Sequence, residues 1–201
     1  IWRQRFPDGA PEQVTFGAST EEGIHFAPEG RSFVTSVGAS QSTLWVHDSR
    51  GDRQITSEGY VFMPSLSADG KRLYYLVRSY GLRSWYQAGL WVADLETGRR
   101  QQLLTGFQIL HYSISADGQR VLFVSVDEQG RNPVWLSSLN AQLPPRQVST
   151  MDAAAAFFGA PGEVLIAGQK ESYVYRVKDD GSELQKVITT PLFPIAVSPD
   201  G

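Results

Sequence analysis

The amino-acid sequence predicts an all-β fold built from one antiparallel unit that recurs about every 43 residues. Three observations carry this prediction. Apolar residues alternate with small or polar residues over short runs, which is the period of a β-strand. Turns that contain Gly separate these runs, and three sequence anchors recur in a fixed order along the chain. Helical periodicity is nowhere convincing.

The first anchor is a hairpin in which an apolar stretch leads into a small residue, an acid and Gly. Before the turn, apolar residues stand two apart, as Tyr112 and Ile114 do, and a second alternating run follows the turn. The acid suits an Asx-type turn and Gly suits a positive φ, so the segment predicts a tight β-hairpin. The copies are residues 26–30, 66–70, 114–118 and 197–201, with a weaker copy that lacks the acid at 158–162.

Two further anchors place a third and a fourth strand in each unit. One is an apolar residue followed by an aromatic residue, and the other is a triplet that ends in Thr or Ser. The aromatic anchors are Trp2, Trp45, Trp91, Trp135 and Tyr175, and the triplets end at Thr15, Thr56, Thr105, Ser149 and Thr189. Four strands per unit, repeated, are typical of a β-propeller blade, whereas a β-sandwich does not predict repeated anchors. We expect the aromatic anchors to fill the layers between neighbouring blades rather than to form a stacking platform for a ligand.

These anchors predict a single β-propeller segment, residues 1–201, of four-stranded antiparallel blades. We expect a partial blade at 1–15, blades at about 24–56, 60–105, 109–150 and 154–189, and the start of another blade at 193–201. The Ala-rich stretch 151–158 is expected to connect two blades. Because the sequence begins and stops in mid-pattern, we expect a piece of a longer protein that forms an open arc rather than a closed ring. Its open blade edges would permit self-association.

The hairpin motifs resemble the WD40-like propeller repeat of the TolB type. The Ser-Pro-Asp-Gly motif at 198–201 matches that repeat fully, and Ser-Ala-Asp-Gly-Lys at 67–71 matches it with Ala for Pro. The Gly-His and Trp-Asp signature of true WD40 repeats is absent. The details are most similar to the sensor propellers of bacterial Ser/Thr protein kinases and winged-helix regulators. That resemblance implies a binding module on the extracytoplasmic side of a larger signalling protein, although no kinase motif occurs in these 201 residues.

Composition excludes several classes of function. The 201 residues carry a formal net charge of −3, which argues against a nucleic-acid partner because nucleic-acid binding needs a basic surface. The absence of Cys excludes disulfides, thiol catalysis and Cys-bound zinc. There is no apolar run of about 18 residues, so we expect no membrane contact by this segment.

We predict no catalytic residue, no metal ligand and no cofactor for this segment. The nucleophile-elbow motif Gly-x-Ser-x-Gly is absent, and the acids of the hairpins are expected to serve their turns. His25 and His111 lie in first strands, which line the channel of a propeller, and two such imidazoles would be the best candidates for an anion or a metal. His47 is expected at the surface.

The predicted binding site lies on the connection at residues 78–89, which is about twice as long as its counterparts. It contains three aromatic residues and two arginines, the residue types that dominate protein interfaces. Tyr60, Phe62 and Phe107 are expected on the same face. The alternative is that Trp85 and Tyr86 begin the third strand and pack inside. Candidate residues for contact with a protein or small-molecule ligand are Arg78, Tyr80, Arg83, Trp85, Tyr86 and His111.

Two alternative functions stand beside a sensor module. One is the gating propeller of a prolyl-oligopeptidase-type serine peptidase, and the other is a TolB-like scaffold of the cell envelope.

Overall fold

The computed structural model describes residues 1–15, 20–29, 32–38, 41–57, 59–78, 88–140, 143–170 and 173–189. These residues form strands and no helix, and every strand pairing is antiparallel. The chain divides into two compact units, Ile1–Ser42 and Thr43–Gly201. The all-β prediction is therefore confirmed.

The smaller unit contains two hairpins. Its strands are β1 (Trp2–Arg3), which pairs with β2 (Glu12–Gln13), and β3 (Thr20–Phe26), which pairs with β4 (Phe33–Gly38). Arg3 and Glu12 form an ion pair across the first hairpin at 2.7 Å, and the rings of Phe26 and Phe33 lie 5.8 Å apart across the second. His25 lies in β3, the first strand of its hairpin, as predicted.

The described residues of the larger unit form one hairpin and three four-stranded blades. The hairpin is β5 (Trp45–Asp48) with β6 (Gly51–Gln54). The first blade consists of β7 (Tyr60–Leu66), β8 (Arg72–Arg78), β9 (Ala88–Asp94) and β10 (Arg100–Leu103). The second blade consists of β11 (Ile109–Ile114), β12 (Arg120–Ser125), β13 (Val134–Ser138) and β14 (Arg146–Ser149). The third blade consists of β15 (Ala153–Phe158), β16 (Glu163–Gly168), β17 (Tyr173–Lys178) and β18 (Gln185–Thr189). A single pair, Ile109 with Ala88, joins the first and second blades into one eight-stranded sheet.

The three blades repeat the same strand register around their aromatic anchors. In each blade the anchor lies in the third strand, between a large apolar residue of the second strand and a long polar residue of the fourth. The three sets are Tyr75–Trp91–Gln102, Phe123–Trp135–Gln147 and Ile166–Tyr175–Lys186. This shared register confirms that the sequence repeat is a structural repeat.

The core of the larger unit lies in layers between successive blades. Alternation along each strand sends one set of side chains to the preceding layer and the other set to the following layer. Tyr75 and Trp91 face the hairpin β5–β6, whereas Tyr74, Leu76 and Leu90 face the second blade. Burial of both faces explains the apolar runs in β8 and β12, and it makes the packing between blades the main stabilising element.

The acidic hairpins have the turn chemistry that the sequence predicts. The Ser67 hydroxyl donates to Asp69 Oδ1 at 2.5 Å, the Lys71 amide donates to the same oxygen at 3.1 Å, and Gly70 has a φ of +68°. The corresponding bonds to Asp117 come from Ser115 at 2.5 Å and from the Gln119 amide at 3.0 Å. These contacts hold the pKa of both carboxyls below its usual range, with the Ser hydroxyl as the largest cause. The two acids therefore serve their turns.

Two of the predictions need correction. The Ala-rich stretch at 151–158 contains strand β15 and is not merely a connection, because its small side chains allow β15 to pack closely on the second blade: Ala153 and Ala156 have no exposed surface. Trp45 does not fill a layer between blades, since it is 51% exposed. Within the larger unit no blade precedes β5, and Val46 is the side chain of that strand that packs on the first blade. Trp2, in the smaller unit, is likewise 58% exposed.

The expected blade at 24–56 is represented by the hairpins β3–β4 and β5–β6, which belong to different units. The strand expected at 193–197, on which ring closure depends, lies outside the described residues. The single-segment organisation and the open arc remain predictions.

Candidate functional site

The candidate site lies where β7 begins and β8 ends, and it consists of Arg78, Tyr60 and Phe62. We call these three residues the Arg78 cluster. Tyr60 pairs with Arg78 across the two strands, and the alternation of β7 places Phe62 on the same face. The Arg78 guanidinium carbon lies 4.7 Å from the centre of the Tyr60 ring and 5.3 Å from that of the Phe62 ring. Tyr60 and Phe62 lie 5.9 Å apart, so the cation rests against two neighbouring aromatic rings.

Arg78 has no hydrogen-bond acceptor among the described residues, although it is partly buried. Its Nε is fully shielded and lacks a hydrogen-bond partner. Arg53 provides a comparison within the same unit, because its Nε is also shielded and unpaired. The other nitrogens of Arg53, however, donate to Asp48 at 2.9 Å and to the Leu95 carbonyl at 3.3 Å. Arg78 is therefore a half-buried guanidinium whose described side-chain contacts are with aromatic rings.

The long connection predicted to bind a partner begins and ends beside the Arg78 cluster. Arg78 pairs with Ala88, so β8 ends and β9 begins at the same edge of the first blade. Residues 79–87 lie outside the described part of the chain. Four of the six predicted site residues fall there: Tyr80, Arg83, Trp85 and Tyr86. The structure thus locates Arg78, with Tyr60 and Phe62 as the neighbours that the sequence predicts, and leaves the role of the other four as a prediction.

His111 lies in a different layer from the Arg78 cluster. It is in β11, as predicted, and its ring makes an edge contact with Phe157 of the third blade at 4.8 Å between centres. The Ala156 amide donates to His111 Nδ1 at 3.5 Å. Burial between the second and third blades lowers the pKa of His111 to about 4. The neutral ring therefore contributes to packing between blades.

Phe107 packs in the layer between the first and second blades, where its ring lies 5.0 Å from that of Phe123 and 5.3 Å from that of Trp135. Phe62 of the Arg78 cluster packs against the same core cluster. These contacts show Phe107 in a packing role, and its place on the binding face stays a prediction.

The other charged clusters of the larger unit are internally paired. A polar cleft beside β16, β17 and the turn before β18 is lined by Glu163, Arg176, Lys178 and Glu183. Arg176 and Lys178 both contact the Glu163 carboxylate at 3.9 Å, so the cleft presents little free charge. His47 is exposed, as predicted, and contacts Asp52 at 2.8 Å.

In the described parts of the chain, no group of three His, Asp or Glu side chains lies close enough together to hold a metal ion. Among the same residues, no helix is long and apolar enough to cross a membrane.

Comparison with known proteins relates the chain to propellers. No protein-family model and no curated protein sequence matches it. TolB from Acinetobacter baumannii is similar in structure, with a TM-score of 0.54 and 18% identity over 72% of this chain and 37% of that one. A putative TolB from Agrobacterium tumefaciens gives a TM-score of 0.54 and 19% identity, over 92% of this chain and 72% of that one. Acylaminoacyl peptidase gives 0.51 and 15% identity, over 66% of this chain and 25% of that one.

These similarities establish the fold and nothing finer. The chain has a β-propeller fold of the TolB type, and it spans 37% of the length of the Acinetobacter TolB chain and a quarter of the peptidase chain. One fold can serve unrelated functions, so function has to be argued from the site.

Proposed function

We propose that this chain is a non-catalytic binding propeller, the sensor module of a larger bacterial signalling protein such as a Ser/Thr kinase or a winged-helix regulator. Its ligand is a protein or a small molecule on the extracytoplasmic side. The binding surface is the Arg78 cluster together with the segment 79–87. The resemblance of the hairpin motifs to sensor propellers supports the signalling context, and the geometry of the Arg78 cluster supports the location.

The observation that carries this proposal is the half-buried guanidinium of Arg78, which lies against two aromatic rings and has no acceptor among the described residues. A partly desolvated cation gains from an added hydrogen-bond acceptor, which a ligand can supply. Tyr and Arg are also the side chains that contribute most to the energy of protein interfaces. A cation held against two rings at the start of a long connection is therefore a preformed anchor for a ligand.

The histidines support a non-catalytic role because those with described contacts have structural partners. His47 contacts Asp52 on the surface of the β5–β6 hairpin. His111 accepts a backbone amide hydrogen bond and is kept neutral by burial, so it is not oriented by a carboxylate as a general base would be. The hairpin acids Asp69 and Asp117 serve their turns.

The experiment is selection of a random peptide library displayed on phage against the immobilised chain. We expect peptides that bind the parent chain and lose at least about tenfold in affinity for Arg78→Gln. Arg176→Gln is the matched control, because Arg176 is a surface arginine of the third blade that is paired with Gln185 and Glu163. Selected peptides that bind all three chains equally would contradict the proposed location of the binding surface. The absence of selected peptides would contradict a protein ligand.

The likeness to acylaminoacyl peptidase supports a second candidate, the gating propeller of a prolyl-oligopeptidase-type serine peptidase. A TolB-like scaffold of the cell envelope is the third. The sequence of the gene on either side of these 201 residues separates them. A kinase or winged-helix region with a membrane span supports the sensor, whereas an α/β-hydrolase domain after residue 201 supports the peptidase.

A further inference from the structure

We infer that Arg78 is the receptor for a carboxylate group, carried by an acidic or C-terminal residue of a bound peptide segment. This inference rests on the proposed binding function and specifies the chemistry of its ligand. It uses only the described residues of the Arg78 cluster.

The donors of Arg78 call for an anion. A guanidinium has five N–H donors in one plane, and the faces of Tyr60 and Phe62 attract its charge without accepting those hydrogen bonds through lone pairs. The Arg78 Nε is shielded, so an external acceptor would meet the terminal Nη groups, as Asp48 meets Arg53; no carboxylate of the described residues forms an ion pair with Arg78. Arg53, with the same shielded Nε, has the Asp48 carboxylate at 2.9 Å. An external carboxylate would give Arg78 the partner that Asp48 gives Arg53.

The charge and polarity of the cluster favour a carboxylate over a phosphate. A phosphate monoester carries nearly two negative charges and is usually held by several cations. Arg78 is the only cation that the described residues contribute to this cluster, and it balances one charge. The two rings beside it are only partly buried, and their remaining exposed carbon atoms suit the methylene groups or the apolar neighbour of a carboxylate. The planar guanidinium also matches the two oxygens of a carboxylate in a bidentate pair.

The test is a titration of the ¹⁵N-labelled chain, observed at the arginine Nε–Hε signals by nuclear magnetic resonance. The Arg78 signal is assigned by its loss in Arg78→Lys. The probes are N-acetylglutamate α-amide for a side-chain carboxylate, N-acetylleucine for a terminal carboxylate, N-acetylglutamine α-amide as the uncharged counterpart, and inorganic phosphate. The Arg53 signal is the internal control, because that guanidinium is already paired with Asp48.

We expect a saturable shift of the Arg78 signal with at least one carboxylate, at least tenfold weaker binding of the uncharged amide, and no shift of the Arg53 signal. The side-chain and terminal probes show which source of carboxylate is preferred. Three results would each overturn the inference. They are equal shifts of the Arg78 signal with the amide and the carboxylates, no saturable shift with either carboxylate, and binding of phosphate that is tenfold tighter than that of both carboxylates. Phe62→Leu, which leaves the guanidinium intact, should weaken carboxylate binding several-fold. If Arg78→Lys does not fold, the loss of the signal in Arg78→Gln assigns it instead.

Failure of this inference differs from failure of the proposed function. The selected peptides could require Arg78, show no enrichment of Asp or Glu, and bind equally well after C-terminal amidation. That result would refute the carboxylate as the group that Arg78 binds and would leave the proposed binding function intact. A saturable carboxylate shift without any selected peptide would refute peptide binding and leave the anion site standing.

Discussion

The hydroxyl of Tyr112 donates a hydrogen bond of 2.6 Å to the carbonyl oxygen of Met63. Tyr112 lies in the first strand of the second blade, and Met63 lies in a β-bulge of the first strand of the first blade, between Phe62 and Ser65. Met63 has a φ of +52°, which turns its carbonyl out of the ladder and makes it available to the neighbouring blade. Burial, with a contribution from Tyr74, raises the pKa of Tyr112 above its usual range, so the hydroxyl remains a donor.

The first prediction follows from this contact. Tyr112→Phe should lower the free energy of unfolding by about 1 to 2 kcal/mol, because the change leaves the partly buried Met63 carbonyl without this donor and keeps the ring in place. Urea unfolding monitored by circular dichroism measures the loss. Tyr173→Phe is the control, since the Tyr173 hydroxyl has no hydrogen bond among the described residues, and it should change stability by less than about 0.5 kcal/mol. Equal effects of both changes would show that the Tyr112 contact contributes little.

The second prediction compares an aromatic anchor that is partly buried and packed against the core with one that is exposed. Trp135 packs with Phe107 at 5.3 Å and is stacked with Phe123 at 6.4 Å. Trp135→Ala should therefore cost about 3 to 5 kcal/mol of stability. Trp45→Ala should cost about 1 kcal/mol or less, since half of that side chain is already exposed. Equilibrium unfolding in urea compares the two variants, and similar losses would contradict the difference in packing.

The sequence predicts the blades well because their signals are local. Alternation, the Ser-x-Asp-Gly turns and the position of the anchor in the third strand all depend on residues close together in the chain, as the bonds of Asp69 and Asp117 show. Exposure of Trp45 depends instead on whether a blade precedes its strand within the same unit, which the anchor motif does not encode. The sequence pattern also did not predict strand β15, because an unbroken Ala run lacks the alternation that indicates a strand.

The candidate site could be predicted only in part. Arg78, Tyr60 and Phe62 were expected to be neighbours because a long connection at the end of β8 opens beside the start of β7. The absence of an acceptor for Arg78 is a property of three-dimensional packing, and nothing in the residue pattern distinguishes Arg78 from Arg53. His111 was expected near the binding face because the connection between blades opens on the same face as the long connection, yet the alternation of β11 turns its ring into the layer with Phe157.

The third prediction concerns a close approach between the second and third blades. Gly181 has a φ of +92°, and a Cβ at this position would lie 2.8 Å from the carbonyl oxygen of Val148 in β14. Gly181→Ala should therefore cost more than backbone strain alone, by about 1 to 3 kcal/mol, because neither the turn nor the strand can move away freely.

Gly106→Ala is the matched control for Gly181→Ala. Gly106 has nearly the same φ, +93°, and nothing lies within 4 Å of the position of its Cβ. This variant should lose only about 1 kcal/mol from strain. Thermal unfolding of both variants beside the parent chain measures the difference. A Gly181→Ala variant as stable as Gly106→Ala would refute the close contact.

The last prediction is a pH dependence that originates at His111. Burial against Phe157 lowers the pKa of this ring to about 4 in the folded chain, whereas the unfolded chain has the ordinary value of 6.5. Between these values the unfolded chain binds a proton that the folded chain excludes, so stability is fully present above about pH 6.5 and decreases as the pH falls towards 4. The loss attributable to His111 reaches up to about 3 kcal/mol. The acids with lowered pKa values, such as Asp69 and Asp117, also reduce stability on acidification, so a variant is needed to isolate the histidine.

His111→Gln is that variant, because glutamine does not titrate and has a side-chain oxygen that can accept the hydrogen bond from the Ala156 amide. Urea unfolding from pH 7.5 to 4.5 should show nearly equal stabilities of the two chains at the upper end and a clear advantage of His111→Gln at the lower end. Parallel curves would mean that the His111 ring takes up its proton as easily in the folded chain as in the unfolded one.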